Sequence, residues 1–181
     1  GARLGGKAGP ELEVARVEER LLAVRVVLRG PTRADAAFRA DPGRWSDEVH
    51  LVANDLGEDA SRSVAEEIRA RGGKAIALPG DVTRLSDMQA LVAAALSTWG
   101  HVDILVNNAG ILRDKSFAKM ELDDFRLVME VHVMGTVNAT KAVWAGMQEQ
   151  QYGRIVMTTS SSGLYGNFGQ SNYGAAKMAL V

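Results

Sequence analysis

From residue 49 onward, short apolar runs alternate with stretches whose apolar positions recur at helical spacing. "EVHLVAND" (48–55) predicts a strand, and "EDASRSVAEEIRARGG" (58–73) an amphipathic helix stopped by Gly72 and Gly73. "KAIALPGD" (74–81) is again strand-like, and "LSDMQALVAAALSTWG" (85–100) predicts a helix closed by Gly100. "VDILVNNAG" (102–110) predicts a strand and turn, residues 122–150 one long helix, and "GRIVMTTSS" (153–161) a further strand. Strands separated by helices of about ten residues or more imply right-handed crossovers and a parallel sheet covered on both faces. The strands are continuous apolar runs, as doubly buried strands should be. The expectation is an α/β, doubly wound parallel sheet.

Residues 1–48 read differently. They hold eight of the 15 arginines but one of the six lysines. "PELEVARVEERLL" (10–22) has Pro10 at a first helical position and Val14, Val17 and Leu21 on one face. "AVRVVL" (23–28) has strand character, and residues 31–47 show no period. The chain starts with glycine and ends within a helical pattern, with no Gly or Pro stop. Two segments are therefore expected, an atypical 1–48 and a partial domain over 49–181, within a longer reading frame.

Composition narrows the classes. With 181 residues, 46% hydrophobic and 24% charged, the chain is long enough for one ordinary core. A net charge of −1 gives no reason to expect nucleic acid or an anionic membrane as partner. Zero cysteines exclude disulfides, thiolate metal sites and a cysteine nucleophile, and no metal is expected. No apolar run approaches the roughly 18 residues of a membrane span, and a cytoplasmic location is the expectation.

Several residues carry candidate chemistry. "GARLGGKA" (1–8) matches a phosphate loop but puts Ala8 where a hydroxyl must hold magnesium, and no strand precedes it, so it reads as a chance match. Asp55 ends a strand, where an acidic side chain can accept both hydroxyls of an adenosine ribose and repel a 2′-phosphate; the alternative is a turn or helix-capping aspartate. Asp81 and Val82 after the next strand are equally open. Tyr173 and Lys177 are four apart, so on a helix they share a face. A phenol titrates near 10, and a neighbouring ammonium lowers that value, making a proton donor or acceptor usable at neutral pH. Y-x-x-x-K alone is common. It gains weight from Ser160, 13 residues earlier in "TTSSSG", from "NNAG" (107–110), and from Asp55 and Asp81.

Through "ANDLG" (53–57), "GDVT" (80–83), "VNNAG" (106–110), "GRIVMTTSSSG" (153–163) and "YGAAK" (173–177), residues 49–181 resemble the short-chain dehydrogenase/reductase family. "NNAGILRDKSFAKM" (107–120) and "SGLYGNFGQSNYGAAK" (162–177) resemble its (3R)-hydroxyacyl-CoA dehydrogenase branch, found in multifunctional β-oxidation enzymes. The resemblance implies a Rossmann-type fold, NAD rather than NADP, a small carbonyl or alcohol substrate of acyl-thioester type, and a homo-oligomeric parent. It implies Tyr173 as general acid/base, Lys177 as its activator and ribose ligand, and Ser160 as the group orienting the carbonyl, with Ser161 and Ser162 as competitors. Asp55 would select NAD, Asp81 and Val82 would flank the adenine, and Asn107 would lie along the cofactor.

Two departures stand out. Where the family usually has asparagine, three residues before the glycine of the long helix, this chain has His132, either a proton relay or a structural histidine. The glycine-rich phosphate loop is absent: "VRVVLRGPTRADAAFRADPG" (24–43) holds only Gly30 and Gly43. Val26 nevertheless precedes Asp55 by 29 residues, the family's distance from first strand to acidic residue, so "AVRVVL" stands where that strand belongs. A frame slip or chimeric start would keep spacing while losing the motif. The expectation is an oxidoreductase fragment with little activity of its own. The rivals are a catalytically silent Rossmann module and a family member acting on steroids or acyl carrier protein thioesters.

Overall fold

The computed structural model describes residues 24–29, 49–70 and 72–181. The helix expected over 10–22, the phosphate-loop look-alike over 1–8 and residues 31–47 lie outside the described residues. One sheet holds β1 (Val24–Arg29), β2 (Val49–Asp55), β3 (Lys74–Pro79), β4 (Ile104–Asn107) and β5 (Arg154–Met157), in the order β3-β2-β1-β4-β5. β2 pairs with β3, and β4 with β5, in parallel. β1 does occupy the central place of a Rossmann sheet, but it runs antiparallel to both neighbours. The direction differs from the all-parallel expectation, and the sequence suggests why. A parallel β1–β2 pair needs a crossover, usually a helix, whereas the intervening stretch has Pro31, Pro42 and no helical period. β2, β3, β4 and β5 still place their carboxyl ends at one edge.

Helices cover both faces of the sheet at β2, whereas the edge strand β5 is largely exposed, short of the doubly covered sheet expected throughout. α1 (Glu58–Ala70) packs on β2 and β3 through Ala53, Ala65 and Ala75, with Val64, Ile68 and Ala77 beside them. On the other face α2 (Leu85–Trp99) and α4 (Gly135–Glu149) pack through Met88, Leu91, Val143 and Met147 against Val52 and Leu105. Successive strand residues alternate between these cores, Val52 to one and Ala53 to the other, which is the two-residue period of a doubly buried strand. Burying a side chain such as Leu105 contributes about 1.5–3 kcal/mol. α1 starts on an acidic turn, Glu58 and Asp59, which suits the positive end of the helix dipole. α2 ends at Gly100, left-handed at φ 84°, whose N–H donates to the Leu96 carbonyl.

Two expected elements change on inspection. The long helix is α3 (Leu122–Met129) and α4 joined through a π-helical stretch, Glu130–Met134. Such widened turns are rare and concentrate at functional sites, and this one contains His132. The strand expected over 153–161 stops at Met157, and a short helix, α5 (Ser161–Tyr165), begins four residues later. α6 (Ser171–Ala179) then packs on α5 and α3.

Candidate active site

The carboxyl edge of the sheet carries the residues expected there. Asp55, the last residue of β2, is half-buried, and its Oδ1 accepts from the Gly57 N–H at 3.1 Å. That is an Asx turn into α1, one of its two sequence readings. Asp81 Oδ1 accepts from the Thr83 N–H at 2.9 Å and the Thr83 hydroxyl at 2.8 Å. The Val82 side chain is committed to the core, with Gly135 of α4 against it. Asn107, the last residue of β4, is buried, and its Nδ2 has no partner among the described residues. The register runs Asn54 to Val24 to Asn107 across the central strand, which sets the ends of β2 and β4 roughly 10 Å apart.

Ser160, Tyr173 and Lys177 are assembled by α5 and α6. Ser160 is the N-cap of α5 and accepts from the Ser162 N–H at 3.2 Å. Tyr173 and Lys177 are one turn apart on α6, and the Lys177 Nζ lies 5.6 Å from the centre of the phenol ring. Lys177 is 3% exposed and donates to the Thr158 carbonyl at 2.5 Å. Burial pulls its pKa below the usual lysine value. Neither the Tyr173 hydroxyl nor the Ser160 proton has a hydrogen-bond acceptor among the described residues.

His132 completes the cluster. Its ring meets that of Tyr173 edge-on, with centroids 5.2 Å apart and planes at 87°. The ring is 2% exposed, and Nε2 lies 3.1 Å from the Ile111 N and 2.9 Å from the Ile111 O. A bare Nε2 accepts from the amide and a protonated one donates to the carbonyl, while Nδ1 has no partner among the described residues. Gly110 makes room for the imidazole, since a Cβ there would sit 2.5 Å from Cε1. Burial holds the pKa of His132 below its ordinary value; the Ile111 backbone pulls it up, and the charge of Lys177 pushes it down.

The structure thus brings His132, Tyr173 and Lys177 into contact distance and seats Ser160 on the neighbouring short helix. Asp55, Asp81 and Asn107 line the adjoining sheet edge as separate groups. Sequence reasoning missed two supports. Thr158 supplies the carbonyl that holds Lys177, and its hydroxyl donates to Asn108 Oδ1 at 2.9 Å. Asn138 Nδ2 donates to the Val82 and Thr83 carbonyls at 3.0 and 2.9 Å, tying α4 to the β3–α2 turn. Thr158 lies within "TTSSSG" but holds Lys177 through its backbone carbonyl, which no side-chain pattern reveals, and Asn138 belongs to none of the motifs.

A buried lysine beside a phenol, with a serine hydroxyl nearby, is equipped to move a proton to or from a substrate oxygen. Residues 45–181 match the short chain dehydrogenase family. The chain belongs to that family of oxidoreductases. A second family, described as the middle domain of the metallophosphoesterase YhaO, matches residues 4–72, less than half of the chain. Peroxisomal multifunctional enzyme type 2 of Mus musculus is 44% identical over 92% of this chain and 23% of its own length. That share is large enough to reach into residues 1–48, beyond the motifs that carry the resemblance. A 3-oxoacyl-[acyl-carrier-protein] reductase of Synechocystis is 40% identical over 67% of this chain and 49% of its own length. The crystal structure of an NAD+-bound xylitol dehydrogenase superposes with a TM-score of 0.69 at 30% identity, covering 72% of this chain and 50% of that one. This short-chain dehydrogenase chain therefore spans half or less of the length of these relatives.

The burial of His132 has a consequence for stability. Its folded pKa lies below the ordinary histidine value of about 6.5, so as pH falls the unfolded chain takes up the proton first. Stability contributed by the neutral ring is present above pH 6.5 and is lost below it, by up to about 1.4 kcal/mol per pH unit until the folded pKa is reached. Urea midpoints at pH 7.5 and 5.5 should therefore separate more for the wild type than for His132→Asn. Equal separations would mean that the histidine is not held neutral by the fold.

Proposed function

We propose that the full-length protein transfers a hydride between NAD(H) and the carbonyl carbon of a 3-oxo/3-hydroxyacyl thioester. The observation that carries this reading is the buried Lys177 against Tyr173 on one helix, beside the edge where β2, β3, β4 and β5 end. The cofactor fit rests on two features. The buried, unpartnered Asn107 Nδ2 can donate to a group lying along that edge, and Asp55 retains a carboxylate oxygen for ribose hydroxyls. Asp81 and Val82 follow the next strand, where the adenine would lie. When bound, the nicotinamide supplies or removes the hydride.

The chain's own residues do the rest. Ser160 donates its hydroxyl proton to the substrate oxygen and fixes it beside Tyr173. The Tyr173 hydroxyl gives that oxygen a proton in reduction and takes one in oxidation. Lys177 uses one N–H on Thr158, leaving two for the nicotinamide ribose, and its charge stabilises the negative charge developing on the phenol oxygen. His132 packs edge-on against the Tyr173 ring and holds it in place, and its Nδ1, without a partner among the described residues, is the atom that would serve a proton relay. The acyl-thioester assignment draws on residues 107–120 and 162–177 and on the named substrate of the Synechocystis relative.

Cofactor choice tests the reading. Asp55 places negative charge where NADP carries a 2′-phosphate, so kcat/KM for reduction of a 3-oxoacyl-CoA should favour NADH over NADPH. Asp55→Ala should shrink that preference at least ten-fold, about 1.4 kcal/mol. A clear NADPH preference in the wild type would remove Asp55 from the site. A panel of 3-oxoacyl-CoA, 3-oxoacyl carrier protein and ketosteroid distinguishes the substrate classes. A second reading, a dinucleotide-binding module without turnover, is favoured by the missing glycine loop and the reversed β1. NADH binding with no reduction of any panel carbonyl would select it.

A further inference from the structure

Gln170 lies three residues before Tyr173 and ten after Ser160, and none of the roles above uses it. It stands at the N-cap of α6, and its backbone carbonyl accepts from the Gly174 N–H at 2.7 Å. Its side chain joins three other segments. Oε1 accepts from the Ser162 hydroxyl at 2.8 Å and from Asn167 Nδ2 at 3.0 Å, while Nε2 donates to Asp114 Oδ2 at 2.7 Å. An amide nitrogen can only donate and a carboxylate only accept, so Asn167 and Asp114 fix the orientation of the Gln170 amide from opposite ends. The Ser162 hydroxyl must then donate to it.

Ser162 passes this constraint to Ser160, because the Ser162 N–H donates to Ser160 Oγ at 3.2 Å. With Oγ engaged as an acceptor, the Ser160 proton is left for an acceptor outside the protein. The segment bearing Asp114 is pinned as well: the Lys115 N–H donates to the Gly169 carbonyl at 2.9 Å, and Asn172 Nδ2 to the Arg113 carbonyl at 3.0 Å. We propose that Gln170 is a positioning residue that, held by Asp114 and acting through Ser162, sets the turn presenting the Ser160 proton to the substrate oxygen. This rests on the Ser160 and Tyr173 roles stated under Proposed function.

The test is a double-mutant cycle in the longest form of the protein that its gene encodes. Gln170→Leu keeps the side-chain bulk and the backbone carbonyl to Gly174 but removes all three side-chain hydrogen bonds. Reduction of a 3-oxoacyl-CoA, or of whichever panel carbonyl is turned over, should slow about ten- to hundred-fold in kcat. The NADH Kd should stay within about two-fold. In a Ser160→Ala background, Gln170→Leu should cost nothing further, because the group it positions is gone. Equal losses in both backgrounds would mean a purely structural role and overturn the proposal, as would no loss in either. Full activity of Ser160→Ala would remove the serine assignment and the positioning role with it, and so would a wild type that reduces no carbonyl. If Gln170→Leu does not fold, Asp114→Ala releases only the outer end of the chain. It should show a smaller loss, again absent in Ser160→Ala.

Discussion

Tyr173→Phe is expected to lower kcat about a thousand-fold while leaving the fold intact. A positioned general acid/base contributes about 10²–10⁴ in rate, and the phenol oxygen is the one atom this change removes. The ring itself is held by packing: His132 meets it edge-on, and the Lys177 ammonium lies 5.6 Å from its centre. Phenylalanine keeps both contacts. The hydroxyl has no acceptor among the described residues, so its loss strands no buried partner and should move Tm by about 2 °C or less. Single-turnover reduction with NADH, in the form of the protein that turns over, separates the outcomes. A variant within ten-fold of wild type would take Tyr173 out of the chemistry. Substrate KM should change little, because the proton transfer is made in the transition state rather than in the ground state.

Much of the fold was readable because its inner strands are apolar: β2 is buried on both faces, β3 and β4 are partly buried, and only β5 is largely exposed. β2, β3 and β4 appear as short apolar runs between helices with Gly stops, and each fell within two residues of its expected bounds. The direction of β1 was not readable. Strand character in "VRVVLR" follows from its β-branched residues, but direction depends on what connects it to β2. The 19 residues between them carry no period. The π-helical stretch at Glu130–Met134 was equally hidden, since widening one turn leaves the surrounding apolar spacing nearly unchanged. α5 escaped for another reason: "SSGLY" is five residues, all weak helix formers but Leu164, indistinguishable from the end of a strand until Ser160 is seen to cap it.

The site was legible in its chemistry and not in its supports. Tyr173 and Lys177 could be paired from an i,i+4 spacing, and the structure places them on one helix. Asp55, Asp81 and Asn107 could be assigned to one edge because parallel strands share a carboxyl edge. Val82 follows β3 at that edge as well, with its side chain turned into the core against Gly135, so only its backbone is left facing the edge. Thr158, Asn138 and Gln170 act through hydrogen bonds to residues 19, 56 and 56 positions away. Separations of that kind leave no periodic trace.

The closeness of α5 and α6 gives the second large expected effect, and it reverses a general rule. Replacing a helical glycine by alanine ordinarily stabilises by about 0.5–1 kcal/mol, through reduced freedom of the unfolded chain. Gly146 in α4 should follow the rule, because a Cβ there meets nothing within 4 Å. Gly163 in α5 should not. Its Cβ would lie 2.8 Å from the Met178 backbone nitrogen and 2.9 Å from the Lys177 carbonyl carbon. Backbone atoms of a packed helix cannot swing aside as a side-chain tip can, so α6 would have to move off α5. Overpacking of this kind costs about 1–3 kcal/mol, more than the propensity gain. At about 2–4 °C per kcal/mol for a chain of this size, Gly163→Ala should melt several degrees below wild type and Gly146→Ala slightly above it. The displaced segment is the one carrying Lys177, and a shift of about 1 Å in a reacting constellation can cost on the order of a hundred-fold in rate. Gly163→Ala should therefore lose activity well below its melting range, which a merely less stable enzyme would not do. Thermal melts and kcat at 20 °C for the two variants side by side decide it. Equal stability and equal rates would show that the two helices are not seated on one another as described.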